Sequence, residues 1–393
     1  MTYGGNGKGM SGLEECEYML KYLKILDPTN ARIIEGLGKY DPRNLLSLAE
    51  KTGLPPTTVA FRVKKLMTES YLTVRAKLNS PRLGLTKAVV VADTNRGFAD
   101  TLSKTIQNIN YWTYLAPCYG KFNGFYGIFS FPYGHVAELR EYFEKAKQLG
   151  ALSDYALFLT SNVFDVAPSF GWFDFEHKAW NFPWEKWTTE VLAGSQQFPA
   201  YLADPESYEI LVDMRDILIL KELEKDGLKD FTELAKIVDI TPQGVRHRFH
   251  EHVLKRELLS GYEVAVLPYP LQVSDLCAFV VDFPNQTALS KFANSLKDKP
   301  FVISHAKVIG SNSLLVHFYV PKAEFTNLLS SFNRLTVKGI VQNFFYVFVD
   351  VSSFKRQTIS YELFKNGTWE YSLREKIEKL TKVVPMELVQ SSR

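Results

Sequence analysis

The sequence predicts an α+β protein in which two winged helix-turn-helix domains alternate with two ferredoxin-like βαββαβ domains. Three observations support this. Residues 31–65 align without gaps on residues 217–251. In each copy, apolar residues at helical spacing predict three short helices followed by a strand. After that strand, each copy shows strand and helix patterns in the order βαββαβ.

Length and composition are consistent with several folded domains. The chain has 393 residues, of which 46% are apolar and 23% are charged, and its net charge is +3. A nucleic-acid surface must therefore be local. Three cysteines fit neither a disulfide framework nor a four-cysteine zinc site, and no apolar run reaches membrane-spanning length. We expect a cytoplasmic, nucleoid-associated protein without membrane contact.

The repeat is supported by identical residues at an offset of 186. These pairs are Ile33/Ile219, Leu37/Leu223, Lys39/Lys225, Leu48/Leu234, Ala49/Ala235, Pro56/Pro242, Val59/Val245 and Arg62/Arg248. Downstream, Ala88 aligns with Ala278 at an offset of 190, and Phe129 aligns with Phe318 at 189. The pattern indicates a tandem duplication.

In the first copy, Gly53 ends the second helix, and the third helix begins near two prolines and extends over residues 57–69. A strand is expected at 71–78. The second copy repeats this order with helices and a strand at 216–224, 231–238, 243–255 and 259–267.

The predicted divisions are a tail with an extra helix (1–26), helix-turn-helix domain 1 (27–80), βαββαβ domain 1 (81–167), a packed aromatic linker (168–207), helix-turn-helix domain 2 (208–267), βαββαβ domain 2 (268–352) and a C-terminal extension with an amphipathic helix (353–393).

This arrangement resembles the leucine-responsive/asparagine-synthetase-C (Lrp/AsnC) family of prokaryotic transcription regulators, which are archaeal or bacterial. The resemblance is carried by Leu26-Asp27, Ile33-Ile34, Leu48-Ala49, Val59-x-x-Arg62-Val63 and Leu83-Gly84-Leu85. It implies DNA binding and βαββαβ domains of the type called RAM, which dimerise and bind small effectors. The expected partners are double-stranded DNA, a small-molecule effector and a second copy bound through the RAM-like domains.

The third helix of each copy is the expected recognition helix, because one face is apolar and the other is free to enter the major groove. Lysine suits phosphates, whereas glutamine and arginine suit base edges. The predicted DNA-binding residues are Thr57, Thr58, Ala60, Phe61, Arg62, Lys64 and Lys65 in copy one, and Gln243, Arg246, His247, Arg248 and His250 in copy two.

Two alternatives stay open at the sequence level. Arg62 and Arg248 occupy matched positions, where each suits either a phosphate or a carboxylate or carbonyl group of the second helix in its own domain. The second copy is also the more acidic. Residues 27–80 carry 9 basic and 5 acidic side chains, whereas residues 208–262 carry 9 and 11. The second helix-turn-helix is therefore expected to bind DNA weakly or to serve packing alone.

Sequence motifs favour a protein that is not an enzyme, with no catalytic residues, cofactor or metal. No nucleophile elbow, phosphate loop or zinc motif is present in the sequence. The turns that would form an effector pocket contain Gly120 and Asn123 in copy one, and Gly310 and Ser313 in copy two. Neither turn carries the carboxylate that the family usually has there.

The predicted function is sequence-specific transcriptional regulation by a fused pseudo-dimer. Because the third helices differ between the copies, we expect a non-palindromic site. Two alternatives remain. Siroheme decarboxylases also resemble the two-domain unit, which would imply a tetrapyrrole enzyme. Winged helices also serve as protein-binding modules without DNA.

Overall fold

The computed structural model describes residues 24–69, 72–206 and 208–391. The predicted N-terminal helix over 13–26 lies outside these residues except for its last three positions. Among the described helices, none is both long and apolar enough to cross a lipid bilayer.

The first helix-turn-helix domain contains three helices and one strand. These are α1 (Pro28–Lys39), α2 (Leu45–Thr52), α3 (Pro56–Thr68) and β1 (Thr73–Leu78). Gly53 follows α2 with φ of 63°, a left-handed conformation that favours glycine and turns the chain toward α3.

The first RAM-like domain follows directly and has the predicted order. Its elements are β2 (Leu85–Thr94), α4 (Ala99–Gln107), β3 (Trp112–Gly120), β4 (Gly124–Pro132), α5 (Val136–Gln148) and β5 (Leu152–Thr160). Both helices pack on one face of the antiparallel sheet through residues such as Leu102 and Phe143.

The aromatic segment between the copies is folded. It contains β6 (Phe164–Asp165), a hairpin of β7 (Phe173–Asp174) and β8 (Ala179–Trp180), and helix α6 (Trp184–Ala193). Trp187 is fully buried against Phe292 and Phe332, which belong to the second RAM-like domain.

The second helix-turn-helix domain repeats the first with one difference. It contains α7 (Met214–Lys225), α8 (Phe231–Val238), α9 (Pro242–Arg248) and β9 (Leu259–Ala265). After α9 the helix continues as wider π turns over Phe249–Leu254. The regular α-helical part of the third helix is therefore seven residues long here and thirteen in copy one.

The second RAM-like domain and the C-terminal extension complete the chain. The domain contains β10 (Ser274–Asp282), α10 (Gln286–Ser295), β11 (Val302–Val308), β12 (Ser313–Pro321), α11 (Phe325–Val337) and β13 (Asn343–Val349). The extension contains β14 (Lys355–Arg356), a hairpin of β15 (Phe364–Lys365) and β16 (Thr368–Trp369), and helix α12 (Arg374–Ser391).

The two RAM-like sheets join at both edges into one closed barrel of eight antiparallel strands. Strand β13 pairs with β3, and β5 pairs with β11, while β11 also pairs with β12. The interior is filled by apolar side chains from both copies, including Val89, Val91, Ala278 and Val280. Because both edges of each sheet are used within the chain, a homodimer would have to use a different surface.

The strands correct the repeat register of the RAM-like domains. In copy one Ala88 lies opposite Phe129, and in copy two Cys277 lies opposite Phe318. The offset is therefore 189 throughout, and the alignment of Ala88 with Ala278 at 190 was wrong. A slip of one residue exchanges the two faces of a strand, and Ala278 faces the barrel interior whereas Ala88 faces the helices.

The wing is shared between the copies. Strand β1 pairs with β9, with Val74 opposite Val264, so each helix-turn-helix domain contributes one strand to a common ribbon. The backbone N–H of Gly227 in copy two also donates to the carbonyl of Val74 in copy one. The ribbon therefore joins the two helix-turn-helix domains directly.

The segments that follow the two RAM-like domains have equivalent structures, and each packs on the RAM-like domain of the other copy. Phe173 packs on Trp180 with ring centroids 5.1 Å apart, and Phe364 packs on Trp369 at 4.9 Å. Helix α6, which ends the first copy, packs on α10 and α11 of the second copy. Helix α12, which ends the second copy, packs on α4 and α5 of the first. The duplicated unit thus includes a hairpin and a helix that the two copies exchange.

Candidate nucleic-acid interface

Helix α3 buries one face and exposes the other. Val59, Val63 and Leu66 face the domain core. On the opposite face Thr57, Ala60, Phe61, Lys64 and Lys65 are exposed, and Thr58 is half-buried. Phe61 is 68% exposed, which is unusual for an aromatic ring. The structure therefore brings the predicted residues of the first copy onto one accessible surface, except for Arg62.

Helix α9 presents a corresponding face. Thr241 caps the helix by accepting a hydrogen bond from the backbone of Gly244 at 3.1 Å. Val245 faces inward. The exposed side chains are Gln243, Arg246, His247 and His250.

Arg62 and Arg248 form ion pairs inside their own domains. Arg62 is hydrogen bonded to Asp27, the residue that caps α1, and to Asn30 at 3.0 Å. Arg248 contacts Asp213, which caps α7, and Asp216, each at 2.8 Å. Each arginine therefore bonds within its own domain, but the predicted partner on the second helix was wrong, because the carboxylates within reach belong to the start of the first helix.

Basic side chains surround Asp216 in the second copy. The Asp216 side chain is 1% exposed, and His252 and Arg248 contact it directly. Burial acts to raise the pKa of the neighbouring Asp213, but hydrogen bonds from the Asp216 backbone and from Arg248 outweigh this effect and lower it. These basic groups are therefore engaged within the domain, which leaves Arg246, His247 and His250 as the basic groups exposed on this helix face.

Arg43 links the two helix-turn-helix domains. Its guanidinium group donates to the carbonyls of Gly227 at 2.6 Å and Lys229 at 3.0 Å. It also lies over the rings of Phe231 and Phe249, about 5 Å from each centroid. Sequence reasoning missed this contact, because position 43 lies in a loop and aligns with Lys229, which gave no signal of a partner in the other copy.

The two turns proposed as an effector pocket each have their own partners. Asn123 exchanges hydrogen bonds with Gly120, and its backbone N–H donates to Asp93 at 2.5 Å. The Ser313 hydroxyl donates to Asp282 at 2.6 Å, and the Gly310 N–H donates to Asp204. Asp93 and Asp282 are matched at an offset of 189, so each turn has a carboxylate, supplied by the end of the adjacent strand β2 or β10. An effector at these turns stays a prediction.

A metal or a cofactor would need a cluster of ligand side chains or a recess in the part of the chain that the structure describes. There, no group of three or more histidine, cysteine, aspartate or glutamate side chains is arranged to hold a metal ion. Two surface recesses have volumes of about 620 and 440 Å³. The first lies beside α6 and α10, and the second lies between Val212–Met214 and Phe364–Gly367.

Comparison with curated sequences finds similarity to transcriptional regulators. No protein-family model matches the sequence. The HTH-type transcriptional regulator LrpA of Pyrococcus abyssi is 35% identical over 92 residues, which are 23% of this chain and 64% of LrpA. An uncharacterized HTH-type transcriptional regulator of Pyrococcus furiosus is 32% identical over 71 residues, which are 17% of this chain and 47% of that protein. The matches span less than two thirds of either regulator, and they confirm that part of the chain resembles Lrp-type transcriptional regulators.

The chain is also similar over both copies to a solved structure of comparable length. The siroheme decarboxylase NirDL is 14% identical, with a TM-score of 0.50, and the match covers 90% of this chain and 98% of that one. This likeness shows that the two proteins share their overall fold.

Proposed function

We propose that the protein is a sequence-specific DNA-binding transcriptional regulator, built as a fused pseudo-dimer. The main supporting observation is the connection between the two helix-turn-helix domains. The shared ribbon β1–β9 and the contacts of Arg43 hold α3 and α9 in one arrangement, and each helix exposes a polar face. Two recognition helices at a fixed separation suit two half-sites on one duplex.

Helix α3 supplies most of the DNA affinity in this proposal. Lys64 and Lys65 bind phosphates, which position the helix without reading sequence. Thr57, Thr58, Ala60 and Phe61 contact base edges, where hydroxyl groups hydrogen bond and apolar groups meet the thymine methyl. Arg62 orients α3 through Asp27.

Helix α9 supplies specificity at the second half-site. Gln243 and Arg246 are of the types that bond to adenine and guanine, and His247 and His250 lie beside them. The acidic side chains of this domain oppose phosphate binding, so its contribution to affinity is smaller.

The test is fluorescence anisotropy with mixed-sequence duplex DNA at several salt concentrations. We expect affinity to fall as salt rises, because bound cations release counterions from the DNA. Lys64→Ala/Lys65→Ala should weaken binding, whereas Lys104→Ala/Lys186→Ala, two exposed lysines on other domains, should not. Undetectable binding at low salt would reject the proposal and favour a protein-binding role.

A selection of binding sites from random DNA tests the pseudo-dimer part of the proposal. Since α3 and α9 present different side chains, the selected site should contain two unlike halves. A perfectly palindromic site would show that the two helices do not read DNA as proposed.

The tetrapyrrole-enzyme alternative is supported by the fold likeness alone. Haem iron commonly takes histidine, cysteine, methionine or tyrosine as an axial ligand. The 620 Å³ recess offers Tyr201, whose hydroxyl is already bonded to His305 at 3.1 Å. The 440 Å³ recess offers Met214. Neither recess shows a free histidine or cysteine, so we favour the regulator. A strong visible absorption band in the purified protein would reverse this preference.

A further inference from the structure

Two polar side chains at one end of the barrel face each other without partners. Lys87 on β2 lies directly opposite Thr160 on β5. Lys87 is two residues before Val89, which faces the barrel interior, so both side chains point to that side. The Thr160 side chain is buried, and its hydroxyl has no hydrogen-bond partner among the residues that the structure describes. Among the described residues, the ammonium group of Lys87 forms neither a hydrogen bond nor an ion pair.

The charged side chains around Lys87 and Thr160 form ion pairs or hydrogen bonds with other residues. Lys77 pairs with Asp165 at 2.6 Å, and Arg356 pairs with Glu263 at 2.8 Å. Glu224 accepts a hydrogen bond from the backbone of Ile359 at 2.7 Å. The Arg75 guanidinium group lies 4.0 Å from the Glu263 carboxylate. Together with Lys87, the group contains four cations and three carboxylates, so its net charge is +1 when all are ionised.

The second copy shows that the fold does not need a polar pair here. At the equivalent positions, 189 residues later, Leu276 lies opposite Val349 and both pack into the barrel interior. An apolar pair therefore closes the barrel at that end. In copy one the same backbone carries an ammonium group and a hydroxyl, whose burial without partners costs free energy.

Burial lowers the pKa of Lys87, and the nearby carboxylate of Glu224 acts in the opposite direction. Burial also raises the pKa of Glu224 to about 7, so at neutral pH this carboxyl is only partly ionised. Glu224 therefore does not neutralise Lys87 fully, and the charged groups at this end of the barrel have an excess of positive charge.

We propose that Lys87 and Thr160 form a binding site for a small organic carboxylate. One carboxylate oxygen accepts from the Lys87 ammonium group and the other from the Thr160 hydroxyl, which satisfies both groups. A bound monoanion also reduces the excess of positive charge in the group. Lys87 is only partly buried, which leaves a path for a small ligand.

The test is isothermal titration calorimetry of the full chain with acetate at low ionic strength, beside sodium chloride and inorganic phosphate. We expect saturable binding of acetate and not of the other two anions. The variant Lys87→Leu/Thr160→Val copies the pair that the second copy already accommodates, so it should fold. Its affinity for acetate should fall by about tenfold or more, as expected for one lost charged hydrogen bond.

Thermal unfolding controls for folding, since the double variant removes an unpaired charge and its Tm should equal or exceed that of the unmodified protein. Lys104→Leu, at an exposed site on α4, should leave acetate binding unchanged. Absence of saturable acetate binding, or full binding by the double variant, would overturn the proposal. So would binding of phosphate in preference to acetate. No DNA is present, so failure here does not affect the regulator proposal.

Discussion

The guanidinium group of Arg62 is hydrogen bonded to the carboxylate of Asp27, and this contact fixes α3 to the start of α1. The same contact recurs 186 residues later between Arg248 and Asp213. In both copies the aspartate also caps the first helix, so one carboxylate fixes two helices. The orientation of each recognition helix therefore depends on an ion pair behind the surface proposed to face DNA.

The two ion pairs should differ in strength. Arg248→Ala leaves Asp216 buried with fewer cations, and breaking such a pair costs about 3–5 kcal/mol. Arg62→Ala breaks a pair whose partners are both about one-third exposed, which costs about 1 kcal/mol. Hydrogen exchange of α7 and of α1 measures the two domains separately. Arg246→Ala, at an exposed position, is the control, and equal effects of the first two variants would contradict this expectation.

The two halves should contribute unequally to DNA binding. Lys64→Ala/Lys65→Ala removes two phosphate contacts, so the slope of log K against log salt concentration should decrease by about two. Gln243→Ala/Arg246→Ala should change the salt dependence by at most one contact and should reduce the preference for the selected sequence by about 1–3 kcal/mol. Anisotropy titrations with specific and scrambled duplexes measure both. A larger salt effect in the second variant would reverse the assignment.

The exchanged C-terminal hairpin should be essential for stability. The indole N–H of Trp369 donates to the carbonyl of Leu83 at 2.6 Å, and its ring packs on Phe364. Trp369→Ala should cost about 3–5 kcal/mol, because it leaves a cavity between the copies. Circular dichroism during heating should show a lower Tm. Val337→Ala, where the side chain is 85% exposed, should change Tm little.

Glu224 should make the stability of the protein depend on pH near neutrality. Burial raises its folded-state pKa to about 7, above an unfolded value of 4.5. The folded state therefore binds the proton more tightly, and stability falls as pH rises from about 4.5 to 7. Glu224→Gln should raise Tm relative to the unmodified protein at pH 8 and not at pH 4. Glu176→Gln, at an exposed site, should show no such difference.

Much of the fold could be predicted from local patterns. Helices α1–α3 and α7–α9 follow from apolar spacing, proline and glycine positions, and the strands of both RAM-like domains follow from their alternation. The exposed faces of α3 and α9 could be predicted from helical spacing. Once Val59 in α3 and Val245 in α9 are placed in the core, the residues on the opposite side of each helix must face solvent. The sequence relatives confirm the Lrp/AsnC resemblance, whereas the role of each surface residue stays a prediction.

Contacts between the copies could not be predicted in the same way. The pairing of β1 with β9 and the closure of β5 on β11 join segments far apart in sequence, and local periodicity carries no information on such partners. The exchange of α6 and α12 had one detectable signal, the spaced aromatic pairs Phe173/Trp180 and Phe364/Trp369. Their hairpin loops differ in length by two residues, which hid the equivalence.

Because both copies form one barrel within a single chain, their sequences can diverge from each other. Their association does not weaken on dilution, because each half meets the other at the high effective concentration set by covalent linkage. Unlike the subunits of a symmetric dimer, the halves can acquire different substitutions at equivalent positions. Lys87 opposite Thr160, and Leu276 opposite Val349, are one such difference. A gene encoding a single half would place the same two side chains at both equivalent positions, so it could not combine a polar pair at one with an apolar pair at the other.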